Sequence, residues 1–335
     1  MLFSFSAISL FCPSNGFAIS SWGCFGMGVA EAFVPGLGYT LTLQIDKALI
    51  LGGSRWYTRQ KYLKAADSED YVYDPDEIYE TTDADESESD KTETSVYLNK
   101  STWEGNYYGS LYGNLLYTTW GDLYQNGCQS NTETYALIFS PFRIDHYYDN
   151  WKFWLPIAIM AVNYKYFSDY NKVDYYLERG LTERDIRRDS FSKYYMIGVG
   201  EEMFYRGTIQ HYLFETMRDS WGMSAGSSRH FSIMAASVIF ALAHTGTGFT
   251  ANPAQAFFFG MYEGYVYHPS LEEFDLTTAI AVHAWWDILI VYTILNNADF
   301  HEDQEDVYAN SSKSKTSGGI TRSTVFPLIQ VAFRY

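Results

Sequence analysis

Three short groups of ionisable residues, each in or beside an apolar stretch, contain the side chains that could do chemistry. They are Glu201-Glu202 with Arg206, His244 after Phe240, and His283 with Asp287. On a helix, residues four apart share a face, so Glu202 can pair with Arg206 and Asp287 can approach the imidazole of His283. Glu201 points about 100° away from its neighbour and has no local partner. Carboxylates and imidazoles are the groups that amide hydrolysis needs, because a base must activate water and a donor must stabilise the oxyanion.

The apolar surroundings of these groups strengthen a functional interpretation. An ionisable group at membrane depth costs about 3 kcal/mol on insertion scales and is usually retained for a task. Each pattern alone is common in soluble helices, and a lone histidine is more often a core residue than a catalyst. Their occurrence together and in order favours one hydrolytic site containing Glu201, His244, His283 and Asp287.

The patterns EExxxR, FxxxH and Hxxx(N or D) resemble the three motifs of the type II CAAX prenyl endopeptidase and bacteriocin-processing (CPBP, Abi-like) family of intramembrane proteases. The likeness covers roughly residues 141–297. It implies that Glu201 and His244 activate a water molecule, and that His283 with Asp287 acts on the oxyanion. The implied enzyme is a peptidase that cleaves a membrane-associated protein or peptide. Structural support for the site would come from Glu202, Arg206 and Phe240.

Two details of the mechanism depend on residue identity. Asp287 stands where the prenyl endopeptidase members have Asn, and an ionised Asp would repel an oxyanion. We therefore predict that Asp287 orients His283 or is kept protonated. Glu201, His244 and His283 also form a two-histidine, one-carboxylate set of the kind that binds zinc. Because there is no HExxH motif, the sequence favours metal-free catalysis and no cofactor, with zinc as the alternative.

The remaining ionisable candidates receive simpler interpretations. Glu263 lies in the apolar stretch 257–266 and could be a buried partner of Arg206. The other histidines are predicted to lie at an interface or on the surface. They are His146, His211, His230, His268 and His301.

Apolar segments that could position these residues recur along the chain, at 17–43, 149–163, 194–214, 231–247, 254–268 and 277–295. They predict an all-α fold, a polytopic membrane helical bundle with catalytic residues on facing transmembrane helices. Several segments fall short of the roughly 20 residues that span a bilayer. Thr182 followed by Asp185 resembles a capping box and predicts that a helix begins after Gly180. Pro156 predicts a short or kinked helix at 151–162.

The chain divides into five predicted parts. Residues 1–66 form an apolar helical hairpin broken near Pro35, with a candidate signal peptide at 1–18. Residues 67–94 are a disordered insert, because thirteen acidic residues lie between Asp67 and Glu93. Residues 95–140 are a Tyr-rich amphipathic helical region on the membrane or on the bundle. Residues 141–297 are the protease-like part and 298–335 are a tail.

Composition limits the partners and leaves two alternatives. A net charge of -17 argues against a nucleic-acid partner, so the predicted partners are the lipid bilayer and a peptide or protein substrate. The segments around Pro35 and Pro141 resemble extensions of some bacterial members, which indicates a bacterial inner (cytoplasmic) membrane. One alternative is an inactive membrane immunity or scaffold protein of the same fold. A less favoured one is an outer-membrane β-barrel, since residues 326–335 alternate and end in an aromatic residue.

Overall fold

The computed structural model describes residues 21–68, 71, 79–81, 94–125, 133–170, 173–244 and 253–304. The candidate signal peptide, most of the acidic insert and residues 305–335 lie outside the described residues. The helices are α1 (Ser21–Phe33), α2 (Leu37–Leu41), α3 (Ile45–Lys47), α4 (Gly53–Ala66), α5 (Lys100–Gln125), α6 (Glu133–Ile138), α7 (Ile144–Tyr147), α8 (Trp151–Tyr170), α9 (Glu183–Glu201), α10 (His211–Glu215), α11 (Ala225–Ala243), α12 (Pro253–Tyr267) and α13 (Leu276–Asn296). Shorter helical segments are the π-helical Ala48–Gly52, Glu202–Gln210 and Thr216–Ser220, and the 3-10 turn Ser140–Phe142.

The first helices turn sharply between α1 and α2. Gly36 has a φ of 83°, a backbone conformation that glycine adopts without strain. The carboxylate of Glu31 accepts hydrogen bonds from the backbone N–H groups of Gly36 (2.7 Å) and Gly38 (2.9 Å). Arg55 Nη1 donates to the same carboxylate at 2.9 Å. The turn is therefore fixed to α4 by a buried ion pair.

Helix α5 lies inside the bundle, with most of its residues buried. It begins at Lys100, because Thr94–Leu98 of the predicted helical region form a strand instead. Small residues allow other chain segments to approach it closely. A Cβ at Gly109 would lie 3.1 Å from the ring of Tyr62, and a Cβ at Gly200 would lie 2.5 Å from the carbonyl oxygen of Asn114. Such close approach at glycine positions is typical of helices that pack in membranes.

A continuous helical stretch runs from Glu183 to Ser220 through α9, α10 and two π-helical segments. It begins as the sequence predicts, since Thr182 Oγ1 accepts a hydrogen bond from the backbone N–H of Asp185 at 3.2 Å. Helix α13 packs against α9, and Gly198 permits this because a Cβ there would lie 2.5 Å from Ala284 Cα. The site residues of both helices are thereby brought to the middle of the bundle.

A small sheet, which the all-α prediction did not include, covers one end of the bundle. Its strands are β1 (Tyr79–Thr81), β2 (Thr94–Leu98), β3 (Val173–Glu178) and β4 (Asp299–Gln304), in the order β1-β2-β3-β4. Strand β2 pairs antiparallel with β1 and parallel with β3, and β4 is parallel to β3. Buried side chains of β2 and β3 pack with Ile186 at the start of α9 and Leu295 at the end of α13. The predicted tail thus begins as a strand, while the helical prediction holds for the bundle.

Within the described residues, α13 is the one helix both long and apolar enough to cross a membrane, and most of it is buried in the bundle. Helix α8 is longer than the sequence predicted. It continues through Pro156 to Tyr170 and has 20 residues.

Candidate active site

Glu201 is the last residue of α9, where the α-helical hydrogen bonding gives way to the π-helical segment Glu202–Gln210. Its side chain is almost fully buried. π-helical turns are rare and often occur at functional sites. Because successive helical residues are about 100° apart, Glu201 and Glu202 point in different directions. Glu201 faces both His244 and His283, and Glu202 accepts a hydrogen bond from His283.

His244 follows the last residue of α11 and acts as its C-cap. Its Nδ1 lies 2.7 Å from the carbonyl oxygen of Phe240. A carbonyl only accepts, so Nδ1 carries a proton and donates it to this bond. The other ring nitrogen, Nε2, faces Glu201 Oε2 at 3.5 Å. The FxxxH spacing therefore sets both the tautomer and the direction of this imidazole.

His283 is buried in the first half of α13. Its Nδ1 lies 2.6 Å from Glu202 Oε1, and since a carboxylate only accepts, Nδ1 donates. Its Nε2 lies 3.9 Å from Glu201 Oε2 and 3.5 Å from Asp287 Oδ2. The sequence predicts that Asp287 orients this ring or is kept protonated, but the short hydrogen bond of the ring is donated to Glu202.

Glu202 connects two groups through one oxygen. Its Oε1 accepts from His283 Nδ1 and also from Arg206 Nη1 at 2.7 Å. Arg206 further donates from Nη2 to the carbonyl oxygen of Gly260 at 3.2 Å, and its guanidinium lies 4.7 Å from the centre of the Phe240 ring. The Glu202–Arg206 pair, which the spacing of four predicts, thus joins the site to α12.

Several carboxyl oxygens at the site have no hydrogen-bond partner among the described residues. They are Glu201 Oε2, Glu202 Oε2 and both oxygens of Glu263. Buried polar atoms are hydrogen-bonded in most proteins, so each exception needs an explanation such as a bound water, a substrate or a proton. Glu201 Oε2 is the atom that the Nε2 atoms of His244 and His283 both face.

Aromatic side chains that the sequence did not single out surround these groups. Phe259 of α12 lies edge-on to His283, with ring centres 5.2 Å apart, and stacks on Trp286 at 5.7 Å. Tyr117 of α5 is stacked on Phe204 at 4.5 Å and lies within range of the charge of Glu201. Its membership of the site depends on contacts between helices far apart in sequence, so local spacing could not have indicated it.

The other histidines lie away from this site, and one departs from its prediction. His268 is fully buried, between the rings of Phe214 at 4.6 Å and Phe274 at 4.3 Å. The sequence predicts an interfacial or surface position for this residue. The loop after α12 instead folds inward, held by hydrogen bonds from Arg229 to the carbonyl oxygens of His268 and Pro269.

Residues 190–289 match the family model described as Type II CAAX prenyl endopeptidase Rce1-like. The matched segment contains all three motifs, from Glu201 to Asp287. The match confirms that this segment resembles the CAAX protease family, whose members are membrane-embedded proteases. Neither the curated proteins nor the solved structures provide a significant match to the chain.

Proposed function

We propose that this chain is an intramembrane endopeptidase that hydrolyses a peptide bond of a membrane-associated protein or peptide. The observation that supports it most is the arrangement around Glu201 Oε2, which faces His244 Nε2 at 3.5 Å and His283 Nε2 at 3.9 Å. In both rings the opposite nitrogen, Nδ1, is held by another acceptor. The two reactive nitrogens and the carboxylate oxygen therefore point into one region.

Glu201 and His244 are the pair that activates water. Because His244 Nδ1 donates to Phe240, Nε2 is free to accept from a water molecule held against Glu201. Glu201 takes a proton as that water attacks the peptide carbonyl, and the same proton is then available for the leaving amine. The low dielectric of the buried site strengthens these interactions.

His283 donates to the oxyanion in this mechanism. Since Nδ1 already donates to Glu202, Nε2 can donate only when the ring carries two protons. The carboxylates of Glu201, Glu202 and Asp287 around the ring favour that charged form. Asp287 therefore serves the oxyanion through His283 and does not contact it as a donor.

Zinc is the alternative to metal-free catalysis. The donor types of Glu201, His244 and His283 suit Zn²⁺. In the described part of the chain, however, no group of three or more His, Cys, Asp or Glu side chains is arranged to hold a metal ion. Cleavage that survives stringent chelation is the expected result, and cleavage restored only by added Zn²⁺ would contradict it.

The proposal includes a polytopic bundle, and helix length and exposed apolar surface support it. Helices α5, α8, α11 and α13 have 26, 20, 19 and 21 residues, and about 20 residues span the hydrocarbon core. Helix α11 exposes an apolar face made of Phe231, Met234, Val238 and Leu242. Helix α8 does the same with Trp154, Leu155, Ile159 and Val162. These faces are suited to lipid contact. Location in a bacterial inner membrane remains a prediction from the sequence.

Glu201→Gln tests the function against Glu183→Gln, a control at the partly exposed start of the same helix. The probe is a farnesylated peptide ending in a CAAX sequence, and membrane proteomics of the same strains identifies natural substrates. We expect Glu201→Gln and His244→Ala to lower cleavage by about 10²–10⁴-fold, with Glu183→Gln unchanged. If all variants match the wild type in every cleavage assay, the protein is an inactive immunity or scaffold protein.

A further inference from the structure

Glu263 of α12 is a buried acid that the proposed mechanism does not use. Its side chain is 0% exposed, and neither carboxyl oxygen has a hydrogen-bond partner among the described residues. Contacts one turn before it and one residue after it fix α12 against the π-helical segment. Arg206 Nη2 donates to Gly260 O at 3.2 Å, and Gln210 Nε2 donates to Gly264 O at 3.0 Å.

The surroundings of Glu263 do not support a charged carboxylate. It lies within range of the charges of Glu202, Arg206, His283 and Asp287. Arg206, the partner suggested by the sequence, already donates to Glu202 Oε1 and Gly260 O. An ionised Glu263 would be a buried carboxylate without a hydrogen bond beside other carboxylates, which is one of the costliest arrangements in a protein.

If Glu263 is protonated, one of its oxygens and Glu202 Oε2 can both be paired by a single hydrogen bond. A protonated carboxyl has one O–H donor. Glu202 Oε2 is a buried acceptor without a donor among the described residues. The donor and the acceptor lie on neighbouring elements that Arg206 joins.

We propose that Glu263 is a positioning residue, a neutral carboxylic acid that donates a hydrogen bond to Glu202 Oε2. Glu202 would then be held at both oxygens, by Glu263 at one and by Arg206 and His283 at the other. His283 is fixed in turn, because its Nδ1 donates to Glu202. This role rests on the proposed function, since it matters through the alignment of His283.

An infrared difference spectrum tests the neutral state without requiring activity. The purified protein is compared with Glu263→Gln and with Glu273→Gln, which changes an exposed residue of the loop before α13. At neutral pH we expect the wild type and Glu273→Gln to show the carbonyl stretch of a protonated carboxylic acid, and Glu263→Gln to lose it. Identical spectra for the wild type and Glu263→Gln would overturn the proposal, whatever the fate of the proposed function.

Kinetics with the farnesylated peptide test the positioning role. Gln keeps a donor and is neutral, whereas Met has a similar length and no donor. Glu263→Gln should change kcat little, and Glu263→Met should lower kcat by about 10- to 100-fold at similar KM and with a retained fold. Equal losses in both variants would mean that a charged carboxylate is required, and two unchanged variants would mean that Glu263 positions nothing.

Discussion

The buried carboxylates Glu31 of α1 and Asp122 of α5 accept hydrogen bonds at both oxygens, whereas the buried carboxylates of the candidate active site have unpaired oxygens. Both oxygens of Glu31 accept hydrogen bonds, from Gly36, Gly38 and Arg55. Both oxygens of Asp122 accept them as well. The donors to Asp122 are Lys47, Tyr39 and Thr134.

The difference separates two uses of buried charge. A carboxylate that accepts hydrogen bonds at both oxygens is held in one arrangement and has no unpaired oxygen left for a ligand. The site has unpaired atoms at Glu201, Glu202 and Glu263, so it can accept a proton, a water molecule or part of a substrate. Burial alone does not distinguish the two, since Glu31 and Glu202 are both 0% exposed.

The largest expected effect comes from breaking a satisfied pair. Asp122→Asn leaves the charge of Lys47 buried, because its Nζ lies 2.8 Å from the Asp122 carboxylate in a fully buried position. We expect a loss of about 3–5 kcal/mol in the free energy of unfolding, measured by denaturation in mixed micelles. Lys47→Met combined with Asp122→Asn should cost less than the sum of the single changes. If Asp122→Asn leaves the free energy of unfolding unchanged, the hydrogen bonds of Asp122 do not stabilise the fold, and the comparison with the active site fails.

The contact between α5 and α9 predicts the next effect. A Cβ at Gly200 would meet the backbone of Asn114, whereas a Cβ at Gly53 would meet nothing within 4 Å. Gly200→Ala should therefore lower the free energy of unfolding by about 1–3 kcal/mol. Gly53→Ala should raise it by as much as about 1 kcal/mol. Similar stability of the two variants would show that the helices have room to separate.

The two acidic neighbours of His283, Glu202 and Asp287, are expected to contribute unequally to catalysis. Glu202→Gln removes the carboxylate that lies 2.6 Å from Nδ1, and Asp287→Asn removes one 3.5 Å from Nε2. We expect kcat to fall by about 10- to 100-fold for Glu202→Gln and by less for Asp287→Asn, because an Asn side chain can donate to an oxyanion. The reverse order in steady-state kinetics would return the orienting role to Asp287.

The smallest expected effect concerns His268, a buried group that belongs neither to the fully hydrogen-bonded carboxylates nor to the candidate active site. Burial and the charge of Arg229 lower the pKa of His268 from 6.5 to about 4. The unfolded chain takes up this proton first, so this contribution to stability is present above pH 6.5 and is lost as the pH falls towards about 4. His268→Phe should reduce the acid sensitivity of the Tm, and His230→Gln, at an exposed histidine, should not. An unchanged pH profile in His268→Phe would contradict this.

Local spacing predicted the parts of the site that lie within one helix. The pair of Glu202 with Arg206 and the approach of Asp287 to His283 follow from residues four apart. The contact of Glu202 with His283 joins residues 81 apart in sequence, and it required knowledge of how α9 packs on α13. The structure therefore brings together the residues that the sequence singled out, and sequence reasoning missed the hydrogen bond between His283 and Glu202.

The sheet escaped prediction for a similar reason. Strands β2, β3 and β4 are short, and each pairs with a strand that is distant in sequence. The sequence around β3 is rich in charge, which indicates exposure to water but gives no partner. The helix that begins after Thr182 was predictable because its cap is made by neighbouring residues.

The close approach of α5 to the helix of Glu201 has a consequence for modularity. The family match begins at residue 190, yet Gly200 is packed against Asn114, and Gly121 against the backbone of Met203. A shortened protein made of the matched residues alone would lose the packing of α5 against the backbone around Glu201 and Glu202. We therefore expect that the smallest unit that can be expressed in folded form includes α5.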